Sequence, residues 1–329
     1  MTNIKKLGLS ALAGSLVAFS ANAAELSVAG GVELTYTDTG GNTGNEITGN
    51  SFGANSSVTM SGSGDVGFGT VSMTRTLNDT NTGWGSSFQT LDMGDMGILS
   101  FDSYAGALVG ITANDDLLPT AYEEVSTGVS GKGVTGVGST NVIGYRNTFG
   151  MFSVSAGYSN GGTAAQAESA AQGAGNTGSA EDIYVSAVVM DGLTIGAGNS
   201  TNASTNTSLT SEDTEQSVAN IVYSTGPVSV GYRVFENNKG TAGTASRSGE
   251  HYSIAFNVND NFAISWGQQD TDVEAISTTA AVTEEVQGIS AAYTAGAASV
   301  RINHSTSDND NGARAVDDET TEVSLVLSF

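Results

Sequence analysis

Short segments that alternate apolar and polar residues recur along almost the whole chain, and the gaps between them alternate in length. Val323, Leu325, Leu327 and Phe329 share one phase, with Ser324 and Ser328 on the other and Val326 an exception. The same period of two runs through Phe152, Val154, Ala156 and Tyr158, and through Val228, Val230, Tyr232 and Val234. It recurs in Tyr252, Ile254, Phe256 and Val258, and the first such segment carries Leu26, Val28, Val32, Leu34 and Tyr36. A period of two places one apolar and one polar face on a strand. Short turns are predicted near 63–66, 93–97, 149–150, 190–193, 224–227, 258–261 and 294–297. Long polar connections are predicted near 37–51, 78–83, 105–140, 159–181, 201–214, 236–249, 271–283 and 307–319. These connections imply sixteen antiparallel strands, with both chain ends on the short-turn side. An even number lets the first and last strands pair and leaves no open edge. The expectation is an all-β, 16-stranded antiparallel transmembrane β-barrel.

Composition supports a barrel over a soluble sandwich. Packed sheets need large residues on their shared face, whereas the polar face here is filled with Ser, Thr, Asn and Gly. Aromatic residues stand near strand ends, at Tyr36, Trp84, Phe149, Tyr158, Tyr223, Phe262, Tyr293 and Phe329, as interfacial girdles do. The chain has no cysteine, which removes disulfides, thiolate metal sites and cysteine nucleophiles. Its net charge of −24 repels nucleic acid and excludes that class of partner. A secreted β-helix is the structural alternative, but no fixed repeat period is present.

Residues 1–23 read as a secretory signal peptide. Lys5 and Lys6 form its basic start, Leu7 to Phe19 its apolar stretch, and Ala21-Asn22-Ala23 its cleavage site. Residues 24–329 are then a single barrel, and no later apolar run is long enough for a membrane helix.

Four segments carry a family resemblance: "LSVAGGVELTY" after the leader, "MGILSFDSYAGAL" opening the third long connection, "NVIGYRNTFGMFSVSAGYS", and the terminal "VSLVLSF". On these and on its layout the chain resembles the general bacterial outer-membrane porins, the alphaproteobacterial type in particular. The resemblance implies a water-filled channel for passive diffusion of small hydrophilic solutes and ions. It implies the outer membrane of a Gram-negative bacterium, lipid and lipopolysaccharide as surroundings, and a homotrimer. It also implies that the terminal Phe329 is a signal for the barrel-assembly machinery, and that residues 105–140 form a third loop folded inward as a constriction.

That loop would present Asp115, Asp116, Glu123 and Glu124, with Asp102 just before it, while Leu117, Leu118 and Tyr122 could pack against the wall. Opposed charges across a constriction create a transverse field that orients passing solutes. The basic wall is expected from Arg146, Arg233 and Arg301, each out of phase with apolar neighbours and so directed inward. Arg75 is included, although it shares a phase with Val71 and Met73 and needs a bulge or a rim position. Few cations facing several carboxylates predict cation preference.

No catalytic constellation stands out and no cofactor is expected. His251 and His304 are the only histidines; His304 beside Ser305 has the form of a phospholipase-like pair, set against the plainer reading of polar groups at strand ends. Asp308-Asn309-Asp310 resembles part of a calcium loop without its full spacing, leaving Ca2+ at acidic loops as a minor expectation. Two other functions stay open: a secreted surface or adhesin-like β protein without conductance, and a substrate-specific barrel channel with aromatic tracks in its lumen.

Overall fold

The computed structural model describes residues 23–42, 49–79, 84–101, 106–114, 117–129, 133–138, 141–160, 178–204, 212–240, 244–276 and 280–329. The leader assigned to 1–23 lies outside them except for Ala23, as do Asp102, Asp115 and Asp116. Among the described residues the strands are β1 (Ala23–Gly41), β2 (Phe52–Asp65), β3 (Thr70–Asn78), β4 (Trp84–Asp92), β5 (Ile98–Phe101), β6 (Val142–Phe149), β7 (Phe152–Ser159) and β8 (Ala180–Met190). They continue as β9 (Leu193–Asn202), β10 (Thr214–Thr225), β11 (Val228–Asn238), β12 (Arg247–Asn259), β13 (Phe262–Val273), β14 (Val282–Ala295), β15 (Ala298–Asp308) and β16 (Asp318–Ser328).

Each strand pairs with its sequence neighbours, and β1 pairs antiparallel with β16, so the sheet closes on itself. Closure satisfies the backbone groups that an edge would leave open, which a bilayer requires. At the seam Gly30 and Phe329 exchange backbone hydrogen bonds of 2.9 Å, and Gly30 leaves space for the Phe329 ring. Two details differ from the sequence expectation. β1 runs on to Gly41, so the first long connection begins later, and the turn expected at 63–66 falls after Asp65. Both shifts arise because pairing with β16 as far as Asp318 and with β3 as far as Thr70 carries the ladders through Gly- and Asp-containing segments that composition alone reads as turns.

Register fixes which side chains share a face. Val28, Met60, Val300, Ile302, Leu325 and Leu327 lie on one phase and are exposed or half-buried. That apolar phase is the outside. Phe149, Phe152, Tyr223 and Tyr293 stand on it beside short turns, and Tyr36, Phe52 and Tyr158 beside long connections. The opposite phase carries Ser155, Gln216, Ser265, Ser290 and Thr320, and it faces the interior. A face apolar outside and polar inside reverses the order of a soluble protein, and matches a bilayer-spanning barrel.

Candidate functional site

The interior is the candidate site. Among the described residues, 107–114, 117–129 and 133–138 belong to the connection between β5 and β6 and bond repeatedly to inward-phase side chains. Two apolar clusters hold its ends. Ile111 and Val134 pack with Tyr184, Val218 and Phe235, while Val109 and Val137 pack with Val142 and Ala180. Polar bonds accompany them. The Gly110 N–H donates to Ser155 Oγ at 2.7 Å, and Gln216 Oε1 accepts from the Thr135 N–H at 2.6 Å and the Gly136 N–H at 3.2 Å. Asn237 Nδ2 donates to the Gly133 carbonyl at 3.1 Å.

The middle of the connection lies along β12 to β16. Ser253 Oγ donates to the Pro119 carbonyl at 3.0 Å, the Ala121 N–H to Ser265 Oγ at 2.8 Å, and the Tyr122 N–H to Ser290 Oγ at 3.2 Å. Thr320 Oγ1 donates to the Gly128 carbonyl at 2.8 Å. The Tyr122 hydroxyl donates to Glu322 Oε1 at 2.9 Å. Burial, reinforced by that bond, raises the Tyr122 pKa well above the usual phenol value, so the group stays a donor.

The expected charged residues separate into three groups. Arg146, Arg233 and Arg301 occupy the inward phase. Arg146 donates to the Leu108 carbonyl at 3.4 Å, Arg233 donates to Gln269 Oε1 at 3.1 Å, and the Arg301 guanidinium lies 5.0 Å from the Tyr122 ring centre. Glu123 is half-buried and accepts from Thr127 Oγ1 at 3.1 Å, and Glu124 is exposed. Arg75 forms the third group and corrects the expectation that it joins the inner wall. Its register partners are Met60 and Ser87, and Met60 pairs with the outward Val28. β2 and β3 stay in regular register past Arg75, so no bulge there turns it inward; instead it donates to Ser87 Oγ on the outward phase.

Several inward carboxylates escaped the sequence reading. Glu33 accepts from Ser324 Oγ, Glu322 accepts from Tyr122, and Glu284 forms an ion pair with Arg247 at 3.8 Å. Asp182 accepts from Thr112 Oγ1 at 3.3 Å and from the Val137 N–H at 3.2 Å. The signal was present: Glu33 sits between Val32 and Leu34, Asp182 precedes Ile183, and Glu322 precedes Val323. The phase argument used for the arginines applies equally to these acids.

The histidine–serine pair does not assemble. His304 lies on the outward phase against Thr321 at 2.9 Å, while Ser305 is buried on the inward phase against Asn303 at 2.9 Å. Neighbours on one strand point to opposite faces, so the two cannot act as a dyad. Asp308 is exposed and Asp310 is buried, and among the described residues no group of three or more acids, histidines or cysteines is placed to hold a metal ion.

Neither a family model nor a curated protein matches the chain. Solved structures do. OmpF of Salmonella typhi, in complex with daunomycin, is 12% identical, covers 94% of this chain and 99% of its own, and superposes with a TM-score of 0.69. OmpT, an outer membrane protein of Vibrio cholerae, is 14% identical over 93% and 98% of the two chains, with a TM-score of 0.67. An anion-selective porin from Comamonas acidovorans is 15% identical over 93% and 100%, with a TM-score of 0.65. At these identities the shared property is the fold: a closed sixteen-stranded antiparallel barrel of the kind that bacterial outer-membrane porins adopt.

Proposed function

We infer that the protein is a non-enzymatic outer-membrane porin, a water-filled channel for passive diffusion of small hydrophilic solutes and ions. One observation carries the reading: a closed barrel with an apolar outside has a polar interior along which the third long connection is bonded. In this reading that connection is the inward constriction loop. The barrel sits in the outer membrane of a Gram-negative bacterium, with its long connections outward among lipopolysaccharide and Phe329 read by the assembly machinery. The protein assembles as a homotrimer, for which the trimeric form of the Vibrio cholerae OmpT structure is a precedent of fold.

The channel favours cations. Six acids, Glu33, Asp182, Glu284, Glu322, Glu123 and Glu124, belong to the described inner wall or its loop, against the four arginines Arg146, Arg233, Arg247 and Arg301. Charges near a narrow, low-dielectric passage dominate selectivity, because their field is focused there. Reconstitution into planar bilayers under a salt gradient tests both parts. Stepwise conductance with a cation-sign reversal potential is expected. A folded barrel without conductance would return the reading to a surface or adhesin-like protein, and an anion-sign potential would remove the cation preference. Saturable transport of one sugar would instead favour a substrate-specific channel.

A further inference from the structure

The two ends of the third long connection come back to the same place on the wall, and a single carboxylate lies between them. Thr112, on the outgoing arm, shares its one hydroxyl proton between Asp182 Oδ2 at 3.3 Å and the Thr135 carbonyl at 3.1 Å, and Val137, on the returning arm, donates its N–H to the same Asp182 oxygen at 3.2 Å. The arms therefore meet directly beside the carboxylate. Asp182 is 5% exposed, with the Val109, Val137, Val142 and Ala180 cluster nearby. Both donors reach Oδ2, while Oδ1 is buried without a hydrogen bond among the described residues, so the bonds to the two arms are what offsets the cost of burying the group.

The enclosure is made by glycine on three segments. A Cβ at Gly110 would overlap the carboxylate, one at Gly136 would stand 2.3 Å from Thr112 Oγ1 and 2.6 Å from Asp182 Oδ2, and one at Gly157 would stand 2.8 Å from Oδ1. Gly110 and Gly136 have φ of +62° and +57°, which also favours glycine. Both arms and β7 therefore close around the group at backbone distance. The Gln216 side chain bonds Thr135 and Gly136, both on the returning arm, whereas Asp182 bonds both arms.

We propose that Asp182 is a positioning residue that clasps the two arms of the loop to β8 and thereby sets how far the loop projects into the channel. The proposal rests on the channel reading above. It assigns Asp182 no contact with passing ions, because the group is enclosed. Its effect is on channel width and on loop fluctuation.

The test uses the full-length barrel, with Asp182→Ala on the wall and Gly136→Ala on the loop as independent variants. Folding is scored by heat-modifiable migration. Two readouts follow: open-channel current noise with the size cut-off for neutral sugars in liposome swelling, and protease cleavage within residues 107–138 of the folded barrel. Both variants should fold, show a several-fold rise in noise, admit larger sugars and be cleaved several-fold faster than wild type. The double variant should add little to either single one. Folded Asp182→Ala with wild-type noise, cut-off and cleavage overturns the clasp. If Asp182→Ala does not fold, Asp182→Asn, which keeps the size of the side chain and removes its charge, decides on the same terms. A wild type without conductance overturns the channel reading, while the cleavage rates still decide whether Asp182 holds the loop.

Discussion

The ends and the middle of the third long connection are held by different physics. Its ends, 107–114 and 133–138, bury Val109, Ile111, Val134 and Val137 against Val142, Ala180, Tyr184, Val218 and Phe235. Its middle, 117–129, touches Ser253, Ser265, Ser290 and Thr320 through single hydrogen bonds. Leu118 and Val125 are buried there too, but each lies over a glycine, Gly231 or Gly288, where the wall lacks a side chain. Burial of apolar area has no equivalent in water, whereas a hydroxyl contact exchanges with water at small net cost. The difference teaches that the loop is fixed at its base and adjustable along its span.

The comparison breaks most readily at the base. Ile111 is fully buried between the loop and the Tyr184 wall. Ile111→Ala leaves a cavity and should lower local stability by about 2–5 kcal/mol. The barrel itself should still fold, since its strand pairing does not involve Ile111. Hydrogen exchange of amides in 107–114 and 133–138 measures the loss directly. Protection equal to wild type would mean that burial at the base does not anchor the loop.

A smaller effect is expected where the middle of the loop faces water. Glu123 is half-buried and Glu124 exposed, and neither belongs to the apolar clusters. Glu123→Gln with Glu124→Gln should leave exchange protection at the base unchanged and move the reversal potential towards anions. At 0.1 M salt, charges more than about 10 Å from the ion path are screened, so only acids beside it can act this way. An unchanged potential would place both side chains away from the narrowest passage.

The barrel was legible because its two signals are one-dimensional: the period of two gives the faces, and alternating gap lengths give the strand count. The count of seven short turns and the β1–β16 closure follow from them, with the first turn displaced past Asp65. Phase also located Arg146, Arg233 and Arg301, and it flagged Arg75 as the misfit that proved to face outward. The bonding of Asp182 to both arms was not legible. Asp182 is far in sequence from Thr112 and Val137, and no periodicity links a wall residue to the two arms of an irregular loop. Yet one hint existed. Phe235 is an aromatic residue on the polar phase of β11, next to the outward Val234, and such a residue needs a dry partner inside the barrel. The loop supplies that partner at Val134 and Ile111.

The smallest expected effect tests the middle of the loop by one atom. Tyr122 is held there in three ways: its N–H bonds Ser290, its ring carries the Arg301 guanidinium, and its hydroxyl bonds Glu322. Tyr122→Phe removes the last and keeps the other two. Glu322 then retains Thr37 Oγ1 at 3.5 Å and gains access to water, so its charge is not stranded. A single hydrogen bond contributes about 0.5–1.5 kcal/mol net, with bonds to charged groups at the upper end or above. Because water can replace the phenol here, the loss should lie near about 1 kcal/mol, well below that of Ile111→Ala. Exchange protection should fall modestly at 121–123 and remain at wild-type level at 107–114 and 133–138. The Glu322 carboxylate, no longer engaged by the phenol, should strengthen cation preference slightly. If Tyr122→Phe instead loosens the base as much as Ile111→Ala does, the phenol is a principal anchor and the contrast between a dry base and a wet span fails.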